Sequence, residues 1–209
     1  MKQITTVKNL LFTSVSTLFI IFYTTSSVFG QYFGQNKMRY KTLDFKVKET
    51  PHFDFYTYLK NDSLLNRFAQ ESELWYELHQ QVFRDTFLRK NPLILYNNHP
   101  DFQQTTAIGG QISIGTGGVT EGLKNRVVMP IMQINNQTRH VLGHELVHAF
   151  QYHSLIEGDS TKLENIGNLP LWMVEGMAEY LSIGKKDAFT AMWMRDAYLN
   201  KDIPSLRDL

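Results

Sequence analysis

The sequence predicts an α+β fold in which a small mixed sheet packs on helices. Segments with strand and helix patterns follow one another in the order strand, helix, strand, glycine-rich loop, strand, helix. Hydrophobic residues are 43% and aromatic residues 13% of the 209 residues. That composition is enough for a buried core, and the length suits a single domain.

Three segments before residue 100 show regular periodicity. Residues 45–59 (FKVKETPHFDFYTYL) alternate and are rich in aromatic and β-branched side chains, which predicts a strand or a hairpin. Residues 63–88 carry apolar side chains at helical spacing and predict a long amphipathic helix. Residues 92–98 (PLILYNN) predict a short buried strand.

The segment 108–122 contains six glycines. It lacks the GxxxxGKS/T and GxGxxG spacings of phosphate-binding loops, so it predicts flexible loops flanking a strand, where glycine supplies positive φ angles. Residues 125–132 (NRVVMPIM) predict a further strand that leads into a helix. Residues 187–199 predict a helix whose methionines and tryptophan pack in the core or in a lid.

The first thirty residues predict a signal peptide, with cleavage after Gly30. Two lysines precede an apolar run that ends in small residues, which is the order of a secretory signal. An uncleaved anchor is the alternative, although polar residues interrupt the run and leave it short for a membrane span. We therefore expect export to the periplasm, the cell envelope or the extracellular space, a mature domain of residues 31–209, and no membrane span after cleavage.

Charge and cysteine content narrow the classes of function. Without Lys2 and Lys8 of the signal, the chain carries 19 basic and 20 acidic residues. This balance predicts no nucleic-acid partner, because such proteins show a basic patch or stripe. The chain has no cysteine, so histidines and carboxylates are the available metal ligands.

The segment 139–153 (RHVLGHELVHAFQYH) contains the pentamer HELVH. On a helix His144 and His148 share one face, opposite the apolar one, and Glu145 lies beside them. Imidazoles one turn apart can bind one zinc ion, with the glutamate as general base to a zinc-bound water. His140, one turn earlier, is too far along the helix to join the same ion, so we expect it to be structural or to support a ligand.

A second segment, 169–182 (LPLWMVEGMAEYLS), offers the third ligand. On its predicted helix Trp172, Glu175 and Glu179 share a face, and Gly176 beside them would allow close approach of a neighbouring helix. Two acidic residues and a tryptophan make sense there if Glu175 completes a His₂Glu zinc site and Glu179 accepts a hydrogen bond from a ligand histidine.

HExxH followed by WxxEGxAEY resembles the gluzincin metallopeptidases, in particular the group called peptidase MA-like. The segments QYFGQNKMRYKTLDFKV, GTGGVTEGLKNRVVMP, HVLGHELVHAFQY and LPLWMVEGMAEYLS together resemble the N-terminal peptidase region of secreted bacterial proteins that continue into a TolB-like β-propeller. The resemblance covers the chain after Gln31. It implies a zincin-like fold similar to the N-terminal domain of thermolysin.

The resemblance also implies roles for individual residues. His144, His148 and Glu175 would bind zinc, Glu145 would be the base, and Glu179 would support a ligand histidine. A peptide substrate would lie along the strand NRVVMP, adding its backbone to the edge of the sheet.

One part of the gluzincin pattern is missing. In gluzincins a Tyr or His further downstream usually stabilises the oxyanion. The present sequence ends at Leu209, before the place where that residue is expected. We therefore expect either the N-terminal part of a longer protein, with a C-terminal β-propeller as a partner, or the use of Tyr180 or Tyr198 as the transition-state stabiliser.

Three hypotheses follow. The first is a secreted zinc metallopeptidase domain that hydrolyses peptide bonds through a water activated by Glu145. The second is a zinc-binding but non-catalytic docking domain of a larger cell-envelope β-propeller protein. The third, a plain α+β domain without a metal, requires both motifs to be coincidental.

Overall fold

A computed structural model of the chain describes residues 37, 39–156, 159–162 and 164–205. The predicted signal peptide, residues 1–30, lies outside the described residues. All described residues lie in one compact unit of the chain. Among them, no helix combines the length and the hydropathy needed to cross a membrane.

The sheet has five strands in the order β1-β2-β3-β5-β4. The strands are β1 (Lys46–Glu49), β2 (Phe53–Thr57), β3 (Asn91–Tyr96), β4 (Val119–Glu121) and β5 (Arg126–Pro130). The three central strands are parallel, and the two outer strands run antiparallel to their neighbours. The predicted mixed sheet is therefore confirmed, and the alternating segment 45–59 forms the hairpin β1-β2.

The prediction that NRVVMP is the edge strand is wrong. Val127 of β5 pairs with Leu93 of β3 on one side and with Thr120 of β4 on the other. The cause is a turn in which the Asn125 N–H donates to the Gly122 carbonyl (3.2 Å) and Asn125 takes a left-handed φ of 43°. This turn folds the end of the glycine-rich segment back along β5, so β4 forms the edge.

The helices are α1 (Asp62–Phe83), α2 (His99–Gln103), α3 (Asn135–Ile156), α4 (Glu164–Gly167), α5 (Leu171–Ile183) and α6 (Ala188–Asn200). A short 3₁₀ turn, Ser160–Lys162, precedes α4. The first helix ends earlier than the predicted residue 88, because Arg84 takes a left-handed conformation and its N–H caps the Gln80 carbonyl.

The core lies between one face of the sheet and helices α1 and α3. Alternate strand residues point to this face, as the period of two requires. The largest contributors are Phe53, Phe55, Leu93, Leu95 and Met129 from the strands, Phe68, Trp75 and Tyr76 from α1, and Leu142, Leu146 and Phe150 from α3. Each such side chain contributes roughly 1.5–3 kcal/mol on burial, so the core fixes α3 firmly against the sheet.

Helix α6 does not join this core. None of its residues is buried among the described parts of the chain, and Phe189, Trp193 and Tyr198 are each at least 66% exposed. The prediction that this helix packs in the core is therefore wrong for the described residues, whereas packing in a lid stays a prediction. Its apolar side chains lie on all sides of the helix. Such a helix is buried where other parts of a protein surround it, and the described residues do not surround α6.

Candidate metal centre

Helix α3 places the two histidines of the HELVH motif side by side. The Nε2 atoms of His144 and His148 are 3.0 Å apart, and their ring centroids are 4.7 Å apart. His148 is buried and His144 is partly exposed. Because the helix is anchored by its apolar face, the opposite face holds both imidazoles toward α5.

Helix α5 brings a carboxylate to the same point. Oε2 of Glu175 is 3.3 Å from Nε2 of His144 and 3.5 Å from Nε2 of His148. The three ligand atoms lie within 4.8 Å of one another, so this cluster can hold a metal ion.

The donor set fits zinc. Zinc in catalytic sites takes imidazole nitrogens and a carboxylate oxygen at about 2.0–2.2 Å in a tetrahedral arrangement, which separates neighbouring ligands by about 3.4 Å. The distances that join His144, His148 and Glu175, 3.0–3.5 Å, are close to that separation. Two histidines and one carboxylate also leave the fourth position open.

The electrostatics of His144 suit a metal ligand. Burial lowers its pKa, and the neighbouring His148 lowers it further, while Glu179 and Glu175 act in the opposite direction. The imidazole is therefore held in its neutral form near pH 7. The neutral form is the one that binds metal ions.

Glu145 lies beside the cluster and is not one of its three ligands. It is 5% exposed, and its Oε2 accepts a hydrogen bond of 2.7 Å from the Thr120 hydroxyl. Burial raises the pKa of this carboxyl to about 7, although the Thr120 hydrogen bond and His148 act to lower it. A carboxyl that titrates near neutrality can both accept and return a proton at physiological pH.

Glu179 of α5 lies beside the first histidine of the motif. Its Oε1 is 3.2 Å from Nδ1 of His144 and 3.6 Å from Nε2 of His140. A proton on Nδ1 of His144 that points at this carboxylate leaves Nε2 free as a metal ligand. His140 therefore lies near the Glu179 carboxylate, and its role beside the cluster stays a prediction.

Gln151 is a site residue that the sequence analysis missed. His148 Nδ1 lies 2.8 Å from the Gln151 Oε1, and the Gln151 amide nitrogen donates to the Val174 carbonyl (3.1 Å). The sequence feature that could have identified Gln151 is its spacing, because a residue three positions after His148 lies on the same side of the helix. Its contact with α5 could not be read from that spacing.

Tyr152 is a second neighbour of His148 that the sequence analysis did not single out. Its ring stacks on His148, with centroids 6.2 Å apart and an interplanar angle of 21°. Burial raises the pKa of its phenol, as do the charges of Glu145 and Glu175. Tyr152 therefore lies within electrostatic range of both carboxylates.

The remaining predicted residues lie at the surface of α5 and α6. Trp172 is 44% exposed, Tyr180 56% and Tyr198 73%. The prediction that Gly176 allows a close approach of another helix is wrong, because no described atom lies within 4 Å of a Cβ built there. A close contact occurs instead at Gly143 of α3, next to the first histidine, where the Trp75 indole of α1 lies against the helix.

The comparison with known families bears on the same part of the chain. Residues 117–204 match a family model described as BSP, peptidase of plants and bacteria. No curated protein and no solved structure matches the chain. The matched stretch contains β4, β5, α3, α5 and α6, and with them all three ligand candidates and Glu145. This part of the chain is therefore similar to a peptidase domain, in agreement with the class of activity that the two motifs predict.

Proposed function

We propose that the chain is an exported zinc metallopeptidase domain of the gluzincin type, with peptides or proteins as substrates. The observation that supports this most directly is the convergence of Nε2 of His144, Nε2 of His148 and Oε2 of Glu175 within 4.8 Å. A buried glutamate, Glu145, stands next in sequence to the first ligand and outside the ligand set.

Each residue has a distinct task in this proposal. Zinc, when bound, polarises a carbonyl oxygen and lowers the pKa of a coordinated water. His144, His148 and Glu175 would hold the ion. The Glu179 carboxylate lies 3.2 Å from Nδ1 of His144, where its charge favours the tautomer with the proton on Nδ1 and leaves Nε2 free for the ion.

Glu145 moves the proton. It accepts a proton from the water that attacks the scissile carbonyl carbon, and then donates it to the nitrogen of the leaving amine as the C–N bond breaks. In the metal-free site burial raises the pKa of this carboxyl to about 7, and burial disfavours the charged form in the same way during the reaction. No net proton is left on the protein at the end of the cycle.

The substrate backbone would extend the sheet at β4. Among the described residues that strand has β5 as its one hydrogen-bonded neighbour, so its outer edge can pair with an extended peptide. Thr120 of the same strand contacts Glu145, so a peptide on this edge would pass close to the proposed base.

Hydrolysis of an unstructured protein such as casein tests the proposal. The zinc-loaded chain of residues 31–209 should cleave it, and Glu145→Gln should reduce the rate about 10²–10⁴-fold. Both proteins should hold one zinc per chain, because Glu145 is not a ligand. Equal rates for the two proteins at equal zinc content would refute the assignment of the base.

A second function is favoured by the exposed apolar surface of α6. Side chains such as Phe189 and Trp193 stand out from the described structure, and exposed apolar patches mark interaction sites. In this alternative the domain binds zinc without catalysis and docks within a larger cell-envelope protein, against a C-terminal β-propeller. Stoichiometric zinc with no hydrolysis by wild type or Glu145→Gln would favour it.

A further inference from the structure

The edge strand β4 touches the proposed base through a hydroxyl group. Thr120 is 8% exposed, and its Oγ1 lies 2.7 Å from Oε2 of Glu145 and 2.9 Å from the backbone oxygen of the same residue. A hydroxyl carries one proton, so it can donate to only one of these acceptors at full strength. The shorter distance is the one to the carboxylate.

Gly118, the residue just before β4, approaches the other carboxylate oxygen without a side chain. A Cβ built at Gly118 would lie 2.8 Å from Cγ and 2.9 Å from Oε1 of Glu145. These distances are shorter than van der Waals contact, so any other residue at 118 would displace the glutamate. The backbone at Gly118 and the hydroxyl of Thr120 therefore enclose the carboxylate from the side of the sheet.

We propose that Thr120 is a positioning residue for Glu145. Its hydroxyl donates a hydrogen bond to Oε2 of Glu145 and so fixes the orientation of the carboxylate. Oε1 is then the oxygen that receives the proton. This inference rests on the proposed peptidase function, and it assigns a role to a residue outside both sequence motifs.

A purely structural role for Thr120 makes different predictions. In that case the hydroxyl would serve the backbone oxygen of Glu145 and tie β4 to α3. Removing it would lower stability, but the folded, zinc-loaded fraction would turn over substrate at the normal rate. Turnover per zinc-loaded molecule therefore separates the two roles.

The first measurement compares Thr120→Val with Thr120→Ser. Valine keeps the shape and removes the hydroxyl, whereas serine restores it. We expect kcat to fall about tenfold in Thr120→Val, since a misaligned base forfeits part of its 10²–10⁴-fold contribution. KM and zinc content should stay within about twofold of wild type, and Thr120→Ser should recover most of kcat. A normal kcat in Thr120→Val, or a loss that serine does not restore, would overturn the proposal.

The second measurement does not need hydrolysis. Unfolding of the metal-free chain is followed for wild type, Thr120→Val, Glu145→Met and the double variant. The product of the two single-variant changes in the unfolding equilibrium constant should differ from the change in the double variant by about fivefold. The reason is that the two side chains share a buried hydrogen bond, which either single substitution removes. If Thr120→Val does not fold, Thr120→Ala replaces it in both measurements.

The outcomes separate the two proposals. If the effects of Thr120→Val and Glu145→Met on the unfolding equilibrium constant simply multiply, the hydroxyl does not contact the carboxylate. That result overturns the role of Thr120 even in an active enzyme. An inactive wild type overturns the peptidase proposal and with it any positioning role. Non-multiplicative unfolding together with the loss and rescue of kcat supports both.

Discussion

Gln151 of α3 contacts His148 on its own helix and joins that helix to α5, which carries Glu175, through a hydrogen bond to the Val174 carbonyl. Its Oε1 accepts from the ring nitrogen Nδ1 at 2.8 Å, and its amide nitrogen donates to the Val174 carbonyl at 3.1 Å. Val174 precedes Glu175 in sequence. One buried side chain therefore fixes the tautomer of one candidate ligand and the position of the turn that carries another.

We expect Gln151→Met to weaken zinc binding about 10–100-fold, the range found when a partner of a metal ligand is removed. Methionine fills a similar volume but offers no acceptor to His148 and no donor to the Val174 carbonyl. Competition with a chelator of known affinity measures the change. The control is Gln137→Met, the same substitution at an exposed position of α3. Equal affinity of the two variants would show that Gln151 has no part in the site.

Glu175 and Glu179 should differ in their effects on zinc. Glu175→Ala removes a ligand and should abolish stoichiometric binding, whereas Glu179→Gln removes a charge 3.2 Å from the outer nitrogen of His144 and should weaken binding about tenfold. Zinc content after dialysis and chelator competition measure the two effects. If Glu179→Gln lost the metal while Glu175→Ala retained it, the two assignments would have to be exchanged.

His79 should make the stability of the metal-free chain depend on pH. It is 1% exposed, it lies against Trp75 and Phe150, and its Nε2 is 2.9 Å from the Gly143 carbonyl. A carbonyl only accepts, so Nε2 carries the proton of a neutral ring. Burial lowers the pKa of His79 to about 4, from an ordinary value of 6.5.

Because the folded-state pKa of His79 is below that of the unfolded chain, the unfolded state binds more protons between pH 6.5 and 4. Stability from this group is therefore complete above pH 6.5 and is lost as the pH falls toward 4. The free energy of unfolding should drop by about 2 kcal/mol more in wild type than in His79→Gln when the pH goes from 7 to 4.5. Urea unfolding at the two pH values measures this difference, and equal drops in the two proteins would contradict it.

The cluster of His144, His148 and Glu175 could be predicted from the sequence because most of its arrangement depends on local geometry. The spacing of His144 and His148 places them on one face of any regular α-helix, and the same holds for Glu175 and Glu179. The contact between the two helices depends on residues far apart in sequence and does not follow from helical spacing. It was inferred from coordination chemistry, since two histidines and a carboxylate are common ligands of a catalytic zinc.

The features that could not be predicted depend on pairings between distant segments. The edge position of β4 follows from the turn at Gly122–Asn125, and the hydrogen bond from Thr120 to Glu145 follows from that pairing. The glycine content of the segment indicated loops but not which strand they border. Likewise, the periodicity of residues 187–199 predicted the helix α6. It could not show whether another part of the protein packs against that helix.

Two helical glycines should respond in opposite directions to the same substitution. A Cβ at Gly143 would lie 2.8 and 2.9 Å from two ring atoms of the buried Trp75, so Gly143→Ala should destabilise the fold by roughly 1–3 kcal/mol. No described atom lies within 4 Å of a Cβ at Gly176, so Gly176→Ala should stabilise α5 by about 0.5–1 kcal/mol through the unfolded chain. Both changes add one methyl group to a helix, and urea unfolding of the two variants therefore isolates the cost of crowding at Trp75. Equal stabilities would mean that the indole moves aside without cost.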